Sequence, residues 1–300
     1  MIPLTLSASL LALLGGGIVR KYFMSKDASN AATYLFNAAG SVISAAVIFA
    51  WGGITSVSLF TLLLGIAFGL VTAVQAITHL KALEIGPMSY TQVIISFSTL
   101  ISAMSGAIFW NETIEWAHWV GIALMLVSFV LAVERKNDEK GVSLRWLAVS
   151  LISFLFNGGI GLMQKLHQSS DFKGELNEFL VLAFCVSFIF SLALWFFARR
   201  KPSAECRVTD SAANGKKKTA LFVFLVLSLL NGSTVAVNHK LNLYLSGVMP
   251  AAVFFPIING GGLMITTLAA VIIFKERLSF KQWIGVLVGT TSVIFLCNPF

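Results

Sequence analysis

Ten stretches of this 300-residue chain run for close to twenty residues with almost no charge. They cover 2–19, 31–51, 57–80, 86–110 and 116–133, then 144–163, 179–198, 219–237, 247–274 and 283–300. At about 1.5 Å of rise per residue, each is long enough as a helix for the roughly 30 Å of hydrocarbon in a bilayer. No water is available there, so a spanning backbone must satisfy its own N–H and C=O groups. Helices do that within one segment. Composition agrees: 57% of residues are hydrophobic and 11% charged, against about 25% charged in an ordinary soluble domain. The mean hydropathy is +0.86. The expectation is an all-α integral membrane protein with ten transmembrane helices. The first run has no basic residues before it and leads into Gly15-Gly16-Gly17 and Arg20-Lys21 rather than a small-residue cleavage site, so it is expected to stay as a helix.

The charges lie between the runs, which fixes an expected orientation. Of the 21 Lys and Arg, all but Lys165, Lys173 and Lys240 fall in the odd-numbered loops. Basic loops face the cytoplasm, so both termini are expected outside and the long 199–218 loop inside. The protein is expected to be multi-pass in the cell membrane. The net charge of +8 belongs to these loops and does not argue for nucleic acid. Cys185, Cys206 and Cys297 are too few and scattered for a disulfide scaffold or a metal cluster.

The chain also repeats itself. MSYTQVIISFSTLISAMSGAIFWNETIEWAHWVGIAL, from Met88, matches MPAAVFFPIINGGGLMITTLAAVIIFKERLSFKQWIGVL, from Met249. One offset puts Glu112 on Glu276, Trp119 on Trp283 and Gly121 on Gly285, with Ile108 on Ile272 and Ser128 on Ser292. Near the end of each first helix, Gly17-x-x-x-Lys21 echoes Gly161-x-x-x-Lys165. Residues 1–136 and 141–300 are therefore expected to be two five-helix repeats, joined through the polar 134–140 segment. Five is an odd number, so the halves must be inverted. The corners agree, because NETIEWAH has no Lys or Arg and KERLSFK has three.

On these corners, the Gly-x-x-x-Lys pair and the ten-run plan, the whole chain resembles the ten-helix EamA-like branch of the drug/metabolite transporter superfamily. The resemblance implies alternating access around a central cavity, with small organic solutes as cargo. It has one departure. The four-helix relatives carry a membrane-embedded Glu in the first helix for proton exchange, and 4–19 has no carboxylate.

Amides are costly in hydrocarbon without a partner, so those within the runs should face the bundle interior. Ser150, Ser153, Asn157, Gly161 and Gln164 form one helical stripe in the sixth run. The fourth offers Ser89, Gln92, Ser96 and Thr99, and the eighth Ser228, Asn231, Asn238 and Asn242 with Thr234 adjacent. The third offers Thr72, Gln75 and His79; the ninth offers Asn259 beside Gly260-Gly261-Gly262 and after Pro256. Gln75, Ser96, Asn157, Asn231 and Asn259 lie at mid-depth and are the expected substrate contacts. Interhelical bonding competes with that role for each of them. The glycine triplets are expected to pack helices. Lys21, Lys81, Lys165 and Lys240 are expected to snorkel, and Glu112 and Glu276 to cap or pair at their corners.

Nucleophile elbows, zinc motifs and phosphate loops are all missing from the sequence. The expected function is a non-enzymatic transporter of an amino acid or related metabolite, by export or exchange, as a monomer or homodimer. It needs no cofactor or metal. A lipid-linked sugar or nucleotide-sugar carrier is the alternative, and a membrane-embedded lipid enzyme a more distant one. Every Asp and Glu lies in a loop or at a helix end, so transport is expected to run on the solute gradient alone.

Overall fold

The computed structural model describes residues 2–26, 30–85, 91, 94–95, 97–132, 143–200, 214–274 and 279–297. Among these residues there are ten helices and no strands. They are α1 (Ile2–Lys26), α2 (Asn30–Gly52), α3 (Leu59–Ile85), α4 (Thr99–Trp110), α5 (Trp116–Ala132), α6 (Leu144–Gln168), α7 (Leu176–Arg200), α8 (Asn214–Val248), α9 (Ala251–Phe274) and α10 (Phe280–Cys297). Six contain spans long and apolar enough to cross a membrane: Ile2–Arg20, Ala31–Gly52, Leu59–His79, Leu144–Gln168, Leu176–Arg199 and Leu221–Val248. Large apolar side chains such as Leu63, Ile189, Phe197, Phe222 and Phe280 are exposed on the helices. In water that surface would be costly, and against lipid tails it is not.

Several helices outrun the apolar stretches that announce them. The clearest is α8, expected over 219–237 and continuous for 35 residues to Val248. At about 1.5 Å per residue it is about 52 Å long. No Pro or helix-ending Gly interrupts it before Pro250, so the polar tail Asn238-His239-Lys240 stays helical.

The chain packs as two compact units, one of 1–10, 71–174 and 241–300 and the other of 11–70 and 175–240. The first holds α4, α5, α6, α9 and α10. Its core joins Ala103, Ile122, Met125, Phe129, Ala252, Ile257 and Leu296. Within it α5 and α10 pack along their lengths, as do α4 with α6 and with α9. Ser128 Oγ donates to Gly285 O at 2.7 Å, and Ser292 Oγ donates to Gly121 O at 2.7 Å. The earlier residue of one helix meets the later residue of the other in both bonds, so α5 and α10 are antiparallel. Contact is close, because a Cβ on Gly121 would meet Leu296 and one on Gly289 would meet Ser128 Oγ.

The second unit holds α2 and α7, packed along their lengths, with parts of α1, α3 and α8. Ser41 Oγ and Ser187 Oγ approach to 3.2 Å. Ser44 Oγ donates to both Gly40 O (2.9 Å) and Gly232 O (2.8 Å), tying α2 to α8. Phe23 stacks on Phe36 at 4.0 Å, with Phe224 edge-on to both. Glu175 accepts from Ser58 N and Oγ, and Glu178 Oε1 from Thr55 N and Oγ1. Those bonds pin the 53–58 connection to the start of α7.

Candidate functional site

In the first unit the polar stripe of α6 lies along α4. Ser143 caps α6, its Oγ accepting from Trp146 N, and Trp146 Nε1 donates to Thr91 Oγ1 at 2.9 Å. Farther along, Asn157 Nδ2 donates to Ser98 Oγ at 2.6 Å, and Ser102 Oγ donates to Gly158 O at 3.1 Å. The helices can come this close because Gly158 and Gly161 lack side chains. A Cβ at the former would meet Ile101, and one at the latter Ser102 and Phe255. Ser150, Ser153 and Thr99 are buried, and their hydroxyl oxygens have no hydrogen-bond partner among the described residues. The seam is thus part interhelical bonding and part unsatisfied polar surface.

At the far end of α6 sits an ion pair that the sequence reading misses. Lys165 was expected to snorkel; instead it is 6% exposed, with Nζ 2.6 Å from Glu112 Oε1. The same ammonium donates to Met249 O at 3.2 Å. Glu112 Oε2 accepts from Ala251 N at 2.7 Å, at the first residue of α9. Glu112 therefore both pairs and caps, as its corner position led us to expect. The chain turns for this at Asn111, which holds a left-handed φ of 51° and ends α4. A short polar residue accepts that conformation at little cost. Gly106 leaves the space for the carboxylate, since a Cβ there would meet Glu112 Oε2 and Ala251 Cβ. Removing one partner of such a pair typically costs about 3–5 kcal/mol, because a buried charge is stranded.

Lys240, also expected to snorkel, lies inside α8 with its ammonium 4.4 Å above the Trp51 ring. Lys240 is only half-buried and the Trp51 ring is itself largely exposed. His239 packs edge-on against Phe68 and Phe184, and its Nδ1 has no partner among the described residues. Gly15 and Gly16 sit against Thr234, and Gly260 against Met125. Their role is close packing, as expected.

Of the expected substrate contacts, Gln75, Asn157 and Asn259 are half-buried residues of the first unit. Asn231 belongs to the second; it is buried, with Oδ1 unpartnered among the described residues and its amide nitrogen against Gly40. Ser96, with Ser89 and Gln92, lies outside the described residues. Lys165 has a counterpart in Lys21, but such a correspondence marks a position without saying what packs on it.

Buried amides and hydroxyls inside a helical protein with an apolar surface define a multi-pass membrane class. No family model matches the sequence, and no curated protein matches it. Among solved structures, one described only as "Crystal structure of protein" shares the fold with a TM-score of 0.70. The match covers 97% of each chain at 13% identity.

Proposed function

We propose that the chain is a ten-helix carrier of the drug/metabolite transporter type, moving a small organic solute across the cell membrane by alternating access. One observation carries this reading: the reciprocal bonds Ser128 to Gly285 and Ser292 to Gly121. The internal repeat equates Ser128 with Ser292 and Gly121 with Gly285, so the two bonds are counterparts of one another across antiparallel helices, in keeping with an inverted duplication. Inverted repeats are the usual architecture of secondary carriers, with the binding site at their interface near mid-membrane. The halves are 1–136 and 141–300, with both termini outside.

Gln75, Ser96, Asn157, Asn231 and Asn259 supply the solute's hydrogen-bonding contacts. An amino acid or similar metabolite matches such groups better than a purely apolar drug. The carrier performs no covalent chemistry, needs no cofactor and works as a monomer or homodimer. To test this, uptake by proteoliposomes is compared for the wild type, Asn157→Leu and Asn259→Leu against amino acids, nucleotide sugars and cationic drugs. Wild-type protein takes up an amino acid unaltered, and both variants insert normally but transport at least about tenfold more slowly, a loss of about 1.4 kcal/mol. Wild-type rates in both variants would remove these two residues from the site, and chemical alteration of the solute would point to a lipid enzyme.

A further inference from the structure

The buried ion pair has the composition of a ligand site filled from within. Lys165 Nζ and the Ala251 amide hold the two oxygens of one carboxylate, at 2.6 and 2.7 Å. An ammonium beside a helix-start N–H is a donor set suited to any carboxylate. The donors belong to helices and are buried, whereas the acceptor comes from the 111–115 connection, where Asn111, Thr113 and Glu115 are exposed. Within the pair, the Lys165 side chain is 7% exposed and that of Glu112 19%. The cation is the more enclosed partner and the anion the more accessible one. A further bond to Met249 O, at 3.2 Å, holds the ammonium without help from Glu112. Gly106 keeps open the space that the carboxylate fills. The polar stripe of α6 ends here, since Gln164 precedes Lys165 and is itself buried.

We propose that Lys165 Nζ and the Ala251 amide form a seat for the carboxylate of the transported solute, occupied in this state by Glu112. The solute's carboxylate displaces that of Glu112 and inherits both donors, so that a charge leaves the seat only as another arrives. This deepens the carrier reading by naming a carboxylate-bearing solute. The seat itself can be tested without transport. A fixed brace predicts the opposite behaviour, because its carboxylate would have no competitor.

The experiment measures binding of ¹³C-acetate and of acetamide to the full chain in detergent by NMR. Glu112→Gln removes the internal competitor and keeps the shape, so acetate binds about tenfold more tightly than to the wild type. Lys165→Met shows no saturable acetate binding, and acetamide binds to none of the three. Equal acetate affinity in Glu112→Gln and the wild type, acetate binding retained in Lys165→Met, or acetamide binding as well as acetate would each overturn the seat. If Glu112→Gln does not fold stably, Glu112→Ala gives the second readout: its lowered Tm recovers with acetate and not with acetamide. No recovery would also overturn the proposal. Failure of the carrier reading is a separate result, in which the seat binds acetate while proteoliposomes take up no solute.

Discussion

At Gly106 and Gly161 the absence of a side chain decides the local structure. A methyl at Gly106 would occupy the space of the Glu112 carboxylate and of Ala251 Cβ, and one at Gly161 that of Ser102 and Phe255. Moving either neighbour aside without a replacement partner breaks bonds, because Glu112 holds two and Ser102 is bonded to Gly158 O. Gly106→Ala and Gly161→Ala should each lose about 1–3 kcal/mol of stability, read as a lower Tm in detergent. Gly174→Ala, with nothing within 4 Å of its new methyl, should change stability by less than about 0.5 kcal/mol. A Gly161→Ala variant as stable as the wild type would show that α4 and α6 are not so closely packed. The lysines mark the limit of reading single residues from sequence. Lys165 and Lys240 each follow an apolar run, where a flexible cation usually reaches for water. Burial depends on what the fold brings alongside: Lys165 meets the 111–115 turn and the start of α9 and is enclosed, whereas Lys240 meets the exposed Trp51 ring and stays half-buried.

At the scale of helices, hydropathy marked where the apolar helices lie and misplaced their ends. The sequence aligns Gly121 with Gly285 and Ser128 with Ser292, and in the structure each serine donates to the glycine of the other helix. Such a bond is worth on average about 0.6 kcal/mol inside a membrane protein. Ser128→Ala and Ser292→Ala should therefore each weaken the protein slightly, by similar amounts, in thermal melts. A large asymmetry between them would count against equivalent roles. On α2 and α7, Ser41 and Ser187 face each other at 3.2 Å. The double variant Ser41→Cys/Ser187→Cys should form a disulfide under mild oxidation, seen as a dithiothreitol-sensitive link between the two fragments after cleavage in the 134–140 segment. Failure to cross-link would contradict the α2–α7 packing. The helix ends were misplaced because hydropathy marks where lipid contact stops. Backbone bonding carries α8 on through Asn238, His239 and Lys240 to Val248.

For the whole molecule, the charge bias makes the first prediction. With all but three of the 21 Lys and Arg in odd loops, a reporter fused after Phe300 should be active only outside the cytoplasm. Activity inside would mean a miscounted span or an exception to the charge rule. The class of fold was readable from hydropathy alone, whereas the chemistry of the α6 terminus needed three separated segments brought together. On the carrier reading proposed above, the chain moves an unaltered solute down that solute's own gradient. The direct measurement is counterflow: proteoliposomes loaded with unlabelled amino acids, placed in a trace of the labelled mixture, first with inside and outside pH equal and then with an imposed difference. Transient, saturable accumulation of unmodified label, the same under both conditions, is the expected result. No accumulation in vesicles containing folded protein, or uphill uptake driven by the pH difference alone, would contradict it.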